Sequence, residues 1–468
     1  MTSAWFGLSI GLSGLRAAQT MLETAAHNTA NASTVGYSRQ RVRLVAAPPF
    51  SYPAFNRSGF GQLGTGVAIA AVERVRDAFL DAEIRTQVGA SAAWATRRDG
   101  LARVETILPE PSTAGLGSAL ARFWAAWHDV AAEPTSIAAR TALVEQAATL
   151  ASGINRVARQ LADLSTSLDG ELRDRIGEVN DLASRIATLN AQIQRVVVTG
   201  ERANDLEDAR DRLLEELSEL VSVGVERQAD GTVTVLVGGT DLVSGNSARR
   251  VVVGTDGAGH VEARWSWGDP IALGTGRLAA LVELRDGPLA AYRAALDELA
   301  AGIADAVNAL HVTGFDATGA AGGAFFTYTS GDAAATLAVD AAVAADPRRV
   351  AAAAAPGQPG DGTIAAAIAE LRSARILAAG TQTAADFYAG LVGKIGADSR
   401  SAQDVADGQA LVVDYLRNRR EAISGVSLDE EAADMIRFQH AYAASARLIT
   451  AVDEMLDTLI SRTGLVGR

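Results

Sequence analysis

The chain has 468 residues, 48% of them apolar but only 5% aromatic, with a net charge of -13 and no cysteine. That length supports two or more domains, and an apolar share drawn largely from alanine favours helix-on-helix packing over a bulky globular core. The acidic balance argues against a general nucleic-acid surface, and the lack of cysteine removes disulfides, thiolate metal sites and cysteine nucleophiles together.

The first stretch, SAWFGLSIGLSGL, is apolar enough to suggest a secretory signal. No Lys or Arg precedes it and Arg16 follows at once, so a cleaved signal is not expected. No run of about twenty apolar residues occurs, and membrane insertion is not expected. Leu8, Leu12, Leu15, Leu22 and Ala26 keep heptad spacing, with Gln19 filling the missing step and Thr29 ending it, which predicts a coiled-coil seam. Asn28, Asn31, Ser33 and Gly36 then break the helix. Arg39, Arg41 and Arg43 alternate with Gln40, Val42 and Leu44, as in an extended segment whose charged face is solvated, the alternative being a dedicated contact with an acidic partner.

Residues 47–66 read as an irregular loop rich in Pro, Gly, Ser and aromatics, and 66–75 as a strand. Long helices are expected over 79–107 and 116–130, and one or two very long ones over 137–198, which carries Leu161, Leu164, Leu168, Leu172, Ile176, Val179, Leu182, Ile186, Leu189 and Ile193 at steps of three or four. The pattern changes near Val221. VSVGVERQADGTVTVLVGGTDLVSG alternates around an Asp230-Gly231 hairpin turn, and a second turn at 256–259 completes a small β subdomain over 223–273. Helix resumes over 276–312, then a glycine-rich link leads into an alanine-rich stretch, 333–362, with no clear period. A last long helix is expected over 384–423, separated by Ser424-Gly425 from a terminal one. In that final segment Met435, Phe438, Tyr442, Ser445, Ile449, Val452, Leu456, Leu459 and Thr463 form a second unbroken heptad stripe.

A single stripe cannot bury itself, so it needs a partner. Residues 1–45 hold four arginines against one glutamate, a balance of +3, whereas 427–468 hold four arginines against seven carboxylates, a balance of -3. Opposite signs permit the two ends to pair. The expected fold is mainly α: paired N- and C-terminal coiled-coil helices (1–45 and 427–468), an elongated long-helix bundle (46–222 and 274–426), and the small β-hairpin subdomain.

Enzyme patterns fail on context. Gly7-Leu8-Ser9-Ile10-Gly11 matches GxSxG, but that elbow needs a preceding strand. Gly59-Phe60-Gly61-Gln62-Leu63-Gly64 matches GxGxxG, but a loop precedes it and a strand follows, the reverse of a dinucleotide site. His27, His128, His260, His311 and His440 show no ligand spacing, so solvated or partly packed histidines are expected. Asp429-Glu430-Glu431 sits where carboxylates favour a helix start, and Ser427 to Glu430 reads as a capping box. No catalytic group, metal or cofactor is called for.

ANASTVGYSRQ (Ala30 to Gln40) and SGVSLDEEAADMIRFQHAYAASARLITAVDEMLDTLI (Ser424 to Ile460) together resemble the two terminal signatures of the bacterial flagellar axial proteins, the rod, hook and hook-associated family. Tyr37-Ser38-Arg39-Gln40 and the Ser-Gly-Val-Ser-Leu-Asp-Glu-Glu run point within it to a junction between hook and filament. The resemblance implies a secreted structural protein, exported unfolded and assembled by its terminal helices, whose interface comprises Leu8, Leu12, Leu15, Leu22, Asn31, Gly36, Tyr37, Met435, Phe438, Tyr442, Ile449, Val452, Leu456 and Leu459. Implied partners are the hook protein, a second junction protein, further copies of itself in a ring, and an export chaperone on the C-terminal helix. A sizeable outer domain found in many members is expected to be absent or vestigial at 324–362. The alternatives are another axial protein, such as a hook or second junction protein, and remotely a wall hydrolase with axial ends.

Overall fold

The computed structural model describes residues 2–51 and 62–462. Gly59, Phe60 and Gly61 of the GxGxxG loop, and Thr463 of the terminal stripe, lie outside them. The chain opens with helix α1 (Thr2–Asn31), followed by strands β1 (Gln40–Ala46), β2 (Phe50–Ser51), β3 (Gln62–Leu63) and β4 (Val67–Arg74). β1 and β4 pair antiparallel from Gln40 opposite Arg74 to Ala46 opposite Val67, as do the short β2 and β3. The bundle is built from α2 (Ala78–Ile107), α3 (Leu116–Ala132), α4 (Ile137–Val198) and α5 (Asn204–Leu220).

Capping explains these starts. The Asp77 carboxylate accepts from the Phe79 and Leu80 amides at 2.9 and 3.2 Å, and Ser136 Oγ from the Ala139 amide at 3.2 Å. With 62 residues α4 is about 90 Å long, and it is the spine of the molecule. The stripe expected from Leu161 to Ile193 is buried except for the half-buried Leu189, and the buried face extends back to Leu143. At its N-terminal end Phe123, Trp124, Trp127, Phe325 and Phe326 pack edge-to-face or tilted in one aromatic cluster.

The β subdomain lies on the C-terminal half of α4. Strands β5 (Gly224–Arg227), β6 (Val233–Val237), β7 (Thr240–Ser244) and β8 (Ser247–Ala248) form a four-stranded meander, and β9 (Val251–Thr255) pairs with β10 (Val261–Trp265). Both expected turns close these hairpins, the first with Gly231 at φ +84°, where glycine adopts the left-handed region without strain. The region 276–312 is helical from Arg277 to His311, as expected, but not α-helical throughout. Arg285–Leu289 forms a π turn between α6 (Arg277–Leu284) and α7 (Ala290–His311), and Pro288 sits inside it, since proline lacks the amide that an α-helix would use there. The turn inserts Arg285 into the interior, where it reaches Asp169 at 2.5 Å and the Val261 carbonyl at 2.7 Å.

Residues 324–362 fold against the bundle as β11 (Phe326–Thr327), α8 (Ala333–Thr336), β12 (Ala338–Val339), α9 (Ala341–Ala345) and a 3-10 turn, burying Phe325, Leu337, Val343 and Val350. After α10 (Thr363–Glu370), α11 (Ala384–Ser424) returns along α2, joining Val413 and Leu416 to Leu80, Ile84 and Val88. The last element is α12 (Leu428–Arg462).

Helical asparagines dock the non-helical pieces. Each of four uses its amide in both directions, donating from Nδ2 to a carbonyl and accepting at Oδ1 from the amide of the same residue: Asn180 with Val251, Asn190 with Val233, Asn308 with Phe326, and Asn28 with Gln40. The side chain thus stands in for a neighbouring strand and satisfies buried backbone groups. We predict that Asn190→Leu, which leaves the Val233 amide and carbonyl without these partners, costs about 1–3 kcal/mol. Loss of the β subdomain before the helices, read by tryptophan fluorescence against helical ellipticity in urea, is the expected result.

Candidate assembly joint

The two ends of the chain meet, and they do so on α1 through glycine. α1 and α12 run antiparallel, and a Cβ placed on Gly7 would lie 2.9 Å from Val452 Cγ2, one on Gly11 2.8 Å from Ile449 Cγ1, and one on Gly14 2.8 Å from Ser445 Oγ. The face of α1 turned to α12 is therefore Gly7, Gly11, Gly14, Ala18, Met21, Ala25 and Asn28, a heptad displaced by one residue from the leucine stripe. Small residues let the helix axes approach closely. Among the predicted residues, Leu12 is 41% exposed and Leu8, Leu15 and Leu22 are half-buried, while Gln19, Ala26 and Thr29 are exposed. The expected pairing of leucine stripe with C-terminal stripe is corrected accordingly. On α12 the expected stripe is covered only in part: Val452 is buried, Met435, Phe438, Ser445, Ile449 and Leu456 are half-buried, and Tyr442 and Leu459 are exposed.

Where this pair meets the bundle, ANASTVGYSRQ forms the joint. Asn31 ends α1, its Nδ2 bonding to the His27 carbonyl at 3.0 Å. The turn that follows is closed by Thr34 and Tyr37 amides, and Gly36 at φ +82° lies against the side chain of Arg212 on α5. Tyr37 OH donates to Asn28 Oδ1 at 2.7 Å. Burial, then the nearby Asp205, Asp208 and Glu431 carboxylates, raise this phenol above its ordinary range, so it stays a donor. Ser38 gives both its amide and its hydroxyl to Asp208, at 2.8 and 2.7 Å. Gln40 Nε2 reaches Asp205 at 2.7 Å.

Beneath the turn, Arg74 and Arg76 spread over the carboxylates of α5. Arg74 contacts Glu207, Asp208 (2.6 Å) and Asp211 (2.9 Å), and Arg76 contacts Asp81 (2.7 Å), Asp208 and Asp211 (both 3.3 Å). Burial alone would raise the Asp211 carboxyl; Arg76 and Arg74 outweigh it and hold the group below the usual carboxylate range. Glu215, one turn on, is likewise lowered against its burial by Arg420 and Arg417 of α11, each 2.7 Å away.

Arg39 carries the joint to the other terminus. Its amide donates to the Ser424 carbonyl at 2.8 Å, and its guanidinium lies 2.6 Å from Glu430, 2.7 Å from Glu431 and 3.6 Å from Asp434. The solvated charged face expected for 39–43 does not hold at this position, because three carboxylates on the first two turns of α12 converge on it. The capping box is half formed for the same reason. Ser427 Oγ accepts the Glu430 amide at 3.4 Å, while the Glu430 carboxylate turns to Arg39 instead of the Ser427 amide. Asn28 Nδ2 also donates to Glu431 at 3.2 Å. One residue pair, Asn28 and Arg39, therefore bridges α1, the hairpin and α12.

The GxSxG serine sits within α1, not on a strand-to-helix turn. Asp256, His260 and Asp286 approach one another, but the Arg285 guanidinium already lies 2.7 Å from Asp286 and 3.9 Å from Asp256. Sequence reading missed Arg74, Arg76 and the α5 carboxylates; it took Ser38 and Gln40 only as part of a signature and Asn28 as a helix breaker, whereas Asn28 lies inside α1. The signal available was the run Asp208, Asp211, Glu215 at steps of three and four, one charged face of a helix.

Residues 101–326 match the family described as the flagellar hook-associated protein FlgK helical domain, residues 420–462 the flagellar basal body rod FlgEFG protein C-terminal family, and residues 8–37 the flagella basal body rod protein family. The chain is 31% identical to flagellar hook-associated protein 1 of Bacillus subtilis (strain 168), over 100% of both chains. It is 26% identical to the Escherichia coli (strain K12) protein of the same name, over 96% of this chain and 98% of that one. The solved flagellar hook junction protein FlgK from Burkholderia pseudomallei shares the fold, with a TM-score of 0.66 at 17% identity, over 73% of this chain and 100% of that one.

Two outcomes are expected of the joint. Asp211 contributes stability that is complete above the ordinary carboxylate pKa of about 3.9 and is lost as pH falls below it, since its folded value is the lower one. Arg74→Met should cost about 3–5 kcal/mol near neutrality by stranding buried carboxylates, and the deficit should narrow below about pH 4 in urea titrations as those groups protonate. Gly11→Leu should cost about 1–3 kcal/mol and expose 428–462 to protease, whereas Leu12→Ala on the adjacent face should cost under about 1 kcal/mol. Equal effects of the two would count against the glycine seam.

Proposed function

The chain belongs to the flagellar hook-associated protein 1 family and is a structural component of the hook–filament junction, and from that premise we propose how its ends perform the joining. The family is structural, not enzymatic, and we read this chain as having no catalytic role. The observation that carries the mechanism is a division of labour on α1. The glycine–alanine stripe is used inside the chain against α12, and the leucine stripe one residue away stays half open.

On this reading Leu8, Leu12, Leu15 and Leu22 bury against neighbouring copies in a ring, each fully buried leucine contributing roughly 1.5–3 kcal/mol. Exposed Ile436 of α12 extends the same contact. Asn31, Gly36 and Tyr37 hold the angle at which this two-helix inner layer leaves the bundle. The unit boundaries follow: 1–45 with 427–468 as inner layer, 46–222 with 274–426 as bundle, and 223–273 as an outlying β unit. Hook protein on one side and a second junction protein on the other are the neighbours such an adaptor needs. Export in unfolded form to the outside of the cell, with a chaperone covering 435–459, suits apolar stripes that a lone chain leaves open. Among the described residues no helix is long and apolar enough to cross a membrane.

The paired substitution Leu12→Asp with Leu15→Asp is expected to leave the thermal midpoint of the purified chain within about 3 °C, while cells make hooks, shed flagellin and build no filaments. Ile449→Asp should block assembly and also release α12, because it strikes the internal seam. Filaments growing normally on hooks made with the double aspartate variant would overturn the leucine-stripe reading.

A further inference from the structure

Far from the joint, at the N-terminal end of α4, a second polar device has no part in assembly as described above. His311, in the last turn of α7, is wholly buried, unlike the solvated or partly packed histidine the sequence suggests. Its Nδ1 lies 2.7 Å from the Gly323 carbonyl, which can only accept, so Nδ1 carries the proton. Its Nε2 lies 2.9 Å from the Ala351 amide, which can only donate, so Nε2 must be bare. The ring is thereby held neutral and in one tautomer.

The two segments it ties form one cap over the end of α7. Phe315 and Ala353 exchange backbone bonds of 2.8 and 3.2 Å, the Gly322 amide reaches the Gly314 carbonyl at 2.8 Å, and the Ala317 amide reaches the Arg348 carbonyl at 3.0 Å. A Cβ on Gly322 would sit 2.1 Å from the His311 carbonyl, so this segment is pressed directly onto the helix end. Rings of Trp127 and Phe325, with centroids 6.2 and 5.4 Å away, close the other sides.

The charged groups facing the imidazole come from three elements. Arg140 of α4, itself buried, binds the Pro134 and Val350 carbonyls and opposes a second positive charge. Asp316 in the glycine-rich link and Asp340 before α9 favour one, but the Asp316 carboxylate is occupied by the Thr318 and Ala320 amides and Thr318 Oγ1. The negative end of α7 also favours the charged ring. Burial, the largest influence, prevails and lowers the His311 pKa below its usual value.

We propose that His311 is an acid-sensitive pin: a proton on Nε2 replaces an acceptor with a donor aimed at the Ala351 amide, and the cap of residues 313–323 and 348–353 parts from α7. The joint, towards the opposite end of α4, stays closed, so acid loosens one end of the molecule alone. Hydrogen exchange on the full chain, corrected for the intrinsic pH dependence of exchange, should show cap opening rising about tenfold per pH unit below about 6.5. Peptides at 28–40 should not change over the same range. His311→Gln retains a donor and an acceptor without a titrating group, so its cap should lack the pH dependence. Should that variant have an open cap at every pH, the deciding measurement is the wild-type imidazole titration by NMR, whose onset must coincide with loss of cap protection. Cap exchange that is equal at pH 7 and 5, pH dependence that persists in a folded His311→Gln variant, or a titration separated from cap opening would each refute the pin.

Discussion

The architecture depends on the seating of four residues, Tyr37 to Gln40, between the carboxylates of α5 and the first turns of α12. Charge is buried there at high cost, and removing one partner strands the rest. Asp208 shows the economy of the arrangement. It accepts from the Ser38 amide and hydroxyl and from two arginines, so its oxygens are fully employed and the ion cluster is also a hydrogen-bonded one. Because Arg39 spans Ser424, Glu430, Glu431 and Asp434, the direction in which α12 leaves α11 is set by the opposite end of the chain. A protein whose task is to join two lattices needs that angle fixed, and this joint fixes it without a large apolar core.

Rigidity at the joint and openness on the flank of α1 serve the same task. Gly7, Gly11 and Gly14 bring α12 close using side-chain-free positions, which leaves the larger leucines turned partly away. A lone chain therefore keeps its inner layer paired while retaining apolar surface for its neighbours. The helical asparagines extend the principle outward: Asn180 and Asn190 bind the β subdomain, and Asn308 binds the segment after α7, each through backbone groups of the docked segment. Pieces too small to carry cores of their own are thereby held to the α4–α7 framework.

Much of this was legible from residue order. The spans of α2, α3, α4 and α11 match those expected to within two residues at either end, in α3 and α4 because apolar residues recur at helical steps, and the Asp230-Gly231 turn follows from its conformational preference. The face of α1 did not, because a search for apolar periodicity ranks leucine above glycine and so selects the neighbouring stripe. Arg39 resembled any solvated strand residue, since its partners lie some 390 positions away. The π turn at 285–289 and the asparagine pins were hidden for a related reason: a polar residue in a helix gives no sign of the backbone it will meet.

The most direct test is hydrogen exchange across the full-length chain, comparing wild type with Arg39→Met. If the joint organises both termini, protection in α1 and α12 falls together by at least about tenfold, equivalent to roughly 1.4 kcal/mol, while α3 and α4 are unchanged. If α12 keeps its protection when Arg39 is lost, or exchanges freely already in the wild-type chain, the terminal helices are ordered by something other than this joint and the account is wrong.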